Sequence, residues 1–175
     1  MRPQTQLHRG GTGVYGDCYR TCLAMVLDMD RDEVPHFCEH VPPGTQPEDP
    51  AHIASDEWER GWLSGRGLTK VTVPHSGEIT IWQLAEQYNV LAPGAAVICQ
   101  TALYGRVGVS DHVVVLYGGR LYDPLGNDTE EHVAGTNRYQ PSTHGLYWVT
   151  VLARATNPLT HEPAAANVVS ERTDS

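Results

Sequence analysis

The sequence predicts an α+β domain, with helices in the first half and an antiparallel sheet in the second. Three observations carry this expectation. Cys22, Leu23, Val26 and Leu27 recur at three- and four-residue spacing, so one helical face enters a core. The apolar runs Ala95 to Gln100, Val107 to Tyr117 and Gly145 to Leu152 crowd into the second half as strands. Gly118-Gly119 separates two of the β-forming stretches and predicts a two-residue hairpin turn. Helices followed by strands, without alternation, is an α+β plan.

Length and charge narrow the possibilities. The 175 residues suit one domain with a sizeable core. Lys plus Arg number 12 and Asp plus Glu 21, giving 12 − 21 = −9, which argues against a nucleic-acid or anionic-membrane partner and leaves a peptide or protein substrate open. Met1 to Gln6 is polar with no apolar stretch behind it, and no segment reaches the length of a membrane span. Four cysteines in such a chain read as reduced thiols, which points to a cytoplasmic location.

Taken in order, residues 1–15 read as a polar, glycine-rich arm. Gly16-Asp17-Cys18 reads as a turn that opens the first helix, about Cys18 to Asp28. Asp17 is the expected cap, and Cys18 falls in the first turn, where the helix dipole favours a thiolate. Asp30 and Glu33 have capping-box spacing for one short turn, which Val34-Pro35 ends. A proline-rich loop follows over 36–51. A second helix is expected over Ala51 to Ser64, with Ile53, Trp58, Trp62 and Leu63 as its apolar stripe and Gly65-Arg66-Gly67 as its stop. Leu68 to Val73 alternates as a strand that Pro74 ends, and Thr80 to Tyr88 forms a short helix. Residues 1–153 form the domain, and 154–175 read as a flexible tail.

The chemistry gathers at the hairpin. With Gly118-Gly119 as the loop, Leu116 faces Leu121, Val115 faces Tyr122 and Val114 faces Asp123. His112 lies two residues before Val114, so His112 and Asp123 are diagonal neighbours on one face. A histidine oriented by a carboxylate is what an attacking thiol needs as its base. Cys18 is the candidate nucleophile, His112 the base and Asp123 its orienting group. Helix-start N–H groups would bind the oxyanion, together with Gln4 or Gln6 from the arm. Asp111 points to the opposite face, and Asp128 is a more distant substitute for Asp123. Cys22 and Cys99 read as core. A structural zinc on Cys18, Cys22, His36, Cys38 and His40 fits metal-ligand spacing poorly, so no cofactor is expected. His75, His132, His144 and His161 show no partner pattern and read as surface residues.

The order cysteine, histidine on a strand, aspartate on the next strand resembles the papain-like thiol hydrolases. Gly16-Asp17-Cys18, Cys22-Leu23-Ala24, Glu33-Val34-Pro35-His36-Phe37, Trp62-Leu63 with Gly67-Leu68, His112 to Val115 and Tyr122-Asp123-Pro124 resemble small double-glycine-peptidase-like proteins of phages and bacteria, over residues 4–125. The resemblance implies a papain-like fold, with the catalytic helix packed on the sheet. It also implies a cysteine peptidase, amidase or isopeptidase using Cys18, His112 and Asp123, with Gln4 preferred for the oxyanion. An acyltransferase on the same triad and a catalytically idle binding protein are the alternatives.

Overall fold

The computed structural model describes residues 1–6, 16–42, 45–105, 108–126, 139–142 and 145–154. The glycine-rich part of the arm, Asp128, His132, His144, His161 and the tail from residue 155 onward lie outside the described residues.

Helix α1 spans Cys18–Leu27 and buries Thr21, Cys22, Leu23, Ala24 and Met25. Asp28 follows in the left-handed conformation at φ 56°, and its N–H caps Ala24 and Met25 carbonyls. The short turn Arg31–Glu33 is helical, with the Glu33 carboxylate accepting the Asp30 N–H at 3.1 Å. Helix α2 spans Pro50–Ser64, opened by the Asp49 carboxylate on the Ala51 N–H at 2.9 Å, with Pro50 where a missing N–H is harmless.

The buried face of α2 differs from its expected stripe. Ile53 and Trp58 are exposed, whereas Leu63 and Glu59 are buried. The reason is polar. Glu59 accepts the Tyr19 hydroxyl from α1 at 2.5 Å and pairs with Lys70 from the following strand. A buried carboxylate with two partners turns the helix, leaving Trp58 to rest edge-on against Phe37.

Strand β1 covers Leu68–Ser76 and runs through Pro74, which was expected to end it. In the strand order β1-β6-β2-β3-β4, β1 is an edge, so the N–H that proline lacks is not required by a second neighbour. Helix α3, Ile81–Leu91, outlasts its expected end by three residues and starts with a reciprocal Thr80–Gln83 cap. Strands β2 (Val97–Gly105), β3 (Gly108–Tyr117), β4 (Arg120–Tyr122), β5 (Tyr139–Gln140) and β6 (Leu146–Arg154) complete one sheet whose pairings are all antiparallel. β5 is a two-residue strand that pairs β2.

Two cores flank the sheet. α3 closes one with Ile81 and Leu84 over Val114, Leu116, Val97 and Val149. α1 closes the other with Cys22, Leu23 and Met25 over Ile98 and Val115. Alternate β3 residues therefore feed opposite cores, as strand geometry dictates. Cys22 and Cys99 are both fully buried, as core residues. His75 is not a free surface residue: its Nε2 lies 2.9 Å from the Tyr88 hydroxyl. No helix among the described residues is long and apolar enough to cross a membrane.

Candidate active site

The expected hairpin is present, with Gly118 at φ 58° and Gly119 at φ 73°, values that a two-residue turn demands of both positions. The ladder pairs Tyr117 with Arg120, Leu116 with Leu121 and Val115 with Tyr122. It stops there. Asp123-Pro124 turns away, and proline offers no N–H to prolong it.

The early end of β4 leaves the edge of β3 open at Val113. An antiparallel residue sends its N–H and C=O to the same side. At Val113 helix α1 takes the carbonyl: the Cys22 thiol donates to it at 3.4 Å. Strand parity puts the His112 side chain with Val114 on the α3 side of the sheet, whereas Cys18 opens α1 on the other side, and among the described residues no hydrogen bond joins the two.

His112 and Asp123 form the expected pair. Nε2 of His112 lies 2.7 Å from Oδ1 of Asp123, and both side chains are buried. Oδ1 also accepts the Leu125 N–H at 2.8 Å, and Oδ2 accepts the Tyr139 hydroxyl at 2.7 Å. Burial alone would raise the Asp123 carboxyl. The His112 hydrogen bond and charge, the Leu125 N–H and the Tyr139 hydroxyl outweigh it, bringing the carboxyl down to about 2. An ionised Asp123 accepts a proton on Nε2, which leaves His112 Nδ1 as the nitrogen for proton exchange.

Two expectations are corrected. The Cys18 thiol is not favoured toward thiolate: burial pushes it up to about 11, aided by the Asp17 and Cys38 charges and opposed by backbone hydrogen bonds from Tyr19 and Val113. Desolvation here exceeds the benefit of the helix start. Asp17 does stand at the cap position, but its carboxylate does not cap the helix. It is fully buried with the Arg31 guanidinium 3.9 Å away, while its carbonyl receives the Thr21 N–H and hydroxyl, both at 2.9 Å.

Gln4 is not placed to bind an oxyanion. Its Nε2 donates to the Met29 carbonyl at 2.5 Å and its Oε1 accepts the Arg31 N–H at 3.0 Å. Both groups lie past the C-terminal end of α1, whereas Cys18 begins the helix. Gln6 lies nearer the His112–Asp123 corner, its N–H on the Pro124 carbonyl at 2.7 Å. Asp111 is exposed, away from the buried His112 ring.

Tyr139 is the site residue that the sequence reading missed. It stands in a polar stretch with no strand periodicity, and only the pairing of β5 with β2 brings it to Asp123. Among the described residues no group of three or more His, Cys, Asp or Glu side chains is arranged to hold a metal ion. No protein-family model, curated protein or solved structure matches the chain.

Proposed function

We propose that the protein is a papain-like thiol hydrolase acting on a peptide, amide or isopeptide bond. Cys18 attacks the carbonyl carbon and its proton passes to His112 Nδ1. Asp123 fixes the ring through Nε2 and stabilises the imidazolium that forms. The tetrahedral oxyanion takes N–H groups at the start of α1, with Gln6 in place of Gln4 as the side-chain donor. His112 then protonates the departing amine. Water, activated by His112, releases the acid and restores the thiol. An amine acceptor in place of water would give acyl transfer on the same residues.

The observation that carries this reading is the buried His112–Asp123 pair, on the strand whose Val113 carbonyl receives the Cys22 thiol of the helix that Cys18 opens. A thiol at about 11 rests protonated near neutral pH, so the proton leaves during attack instead of beforehand. That same value favours a second reading, a catalytically idle domain that binds a peptide.

A peptide vinyl sulfone separates the two. The hydrolase reading expects one adduct, on Cys18, absent in Cys18→Ser and at least tenfold slower in His112→Ala. An idle domain would show no Cys18 adduct under conditions that label a free thiol.

A further inference from the structure

We propose that Tyr139 is a positioning residue of this site: its hydroxyl pins the Asp123 carboxylate so that Oδ1 stays on His112. The proposal rests on the reading of Cys18, His112 and Asp123 as a catalytic set.

A carboxylate on a single methylene can rotate and exchange its two oxygens. Holding one oxygen from an independent element fixes the other. Leu125 cannot do this alone, because its N–H belongs to the turn that Asp123 itself begins and shares Oδ1 with His112. Tyr139 comes from elsewhere and takes Oδ2 at 2.7 Å.

The phenol is itself held at several points. β5 pairs Leu103 with Tyr139 and Ala102 with Gln140 on β2. The Thr101 hydroxyl donates to the Gln140 carbonyl at 2.6 Å, and the Tyr147 hydroxyl to the Tyr139 carbonyl at 3.3 Å. The ring packs with Leu103, Val114, Leu121 and Tyr147 in the α3-side core and is 5% exposed. A buried hydroxyl with this much support around it is a fixed donor, suited to hold an anion in one orientation.

The test is Tyr139→Phe in the full chain, which keeps the ring in the core and removes the hydroxyl. The Asp123 side-chain carbon is followed by NMR across acid pH, and the His112 ring nitrogens near neutral pH. The expected result is an Asp123 midpoint at least half a pH unit above the wild-type value, a mixed His112 tautomer in place of Nε2–H, and Cys18 alkylation slowed about threefold or more. Thr101→Val, which keeps the phenol but loosens β5, should move all three in the same direction by less, and it serves equally if Tyr139→Phe does not fold. An unchanged midpoint and tautomer in a folded variant would overturn the proposal, because a purely structural tyrosine would lower stability and leave both alone. If Asp123 and His112 respond while Cys18 is no more reactive than Cys38, the hydrolase reading fails and Tyr139 remains the residue that orients Asp123.

Discussion

His112 Nε2 lies 2.7 Å from Asp123 Oδ1 at the point where β3 and β4 part. The pairing of Val115 with Tyr122 is the last rung of that ladder, and the next contact between the strands is this side-chain bond. The pair takes over where the backbone ladder stops. It holds the His112 ring at the open end of β3, the strand on which Cys22 of α1 is bonded.

Acid should dismantle this corner in a defined window. Asp123 lies at about 2 in the folded chain, against 3.8 for an ordinary aspartate. A depressed carboxyl stabilises the fold above its unfolded value, and that stability is lost as pH falls through the folded one. The contribution is full above about pH 5 and fades toward pH 2, amounting to about 2 kcal/mol. Urea unfolding of the wild type at pH 5.5 and pH 2.5 should show this loss. Asp123→Asn should lose about 2 kcal/mol less than wild type between the same two pH values.

Gln4→Ala separates a structural arm residue from an oxyanion donor. The substitution removes a donor to the Met29 carbonyl and an acceptor for the Arg31 N–H. Thermal unfolding should report a loss of about 1–2 kcal/mol. The peptide vinyl sulfone rate at Cys18 should stay within about twofold of wild type, since loss of an oxyanion donor costs on the order of a hundredfold.

Asp17→Asn should move stability and reactivity in opposite directions. Its carboxylate raises the Cys18 thiol, though less than burial does, and it faces the Arg31 guanidinium inside the protein. The asparagine variant should lose about 1–3 kcal/mol with the buried Asp17–Arg31 ion pair, although the guanidinium keeps Asp32 at 3.0 Å. Its Cys18 should react with iodoacetamide about threefold faster at pH 8.5, from a thiol shifted down by roughly half a unit. Chemical denaturation and site-resolved labelling read the two effects separately.

Local chemistry made most of this architecture legible. The Gly118-Gly119 turn sets the register, and register with strand parity puts His112 and Asp123 on one face. Gly16-Asp17-Cys18 marked the start of α1 for similar local reasons. What escaped was decided by contacts distant in the chain. Glu59 is buried because Tyr19 and Lys70 meet it, which no helical periodicity within α2 reports. Pro74 continues β1 because that strand is a sheet edge, a fact of topology. Gln4 binds the far end of α1, although its position before Cys18 suggested the near end. Tyr139 reaches Asp123 through a two-residue strand too short to leave a pattern. The Cys18 thiol follows the same rule: the helix start was readable, but the burial that outweighs it was not.

The central claim is that Cys18 depends on His112 for its reactivity. Its most direct test is the pH profile of Cys18 alkylation by iodoacetamide, resolved from Cys22, Cys38 and Cys99 by peptide mass spectrometry. In the wild type, Cys18 should react at pH 7 at least tenfold faster than in His112→Ala. In the variant, its rate should follow simple thiol ionisation, rising toward an inflection near 11. Superimposable profiles for wild type and His112→Ala would contradict the account.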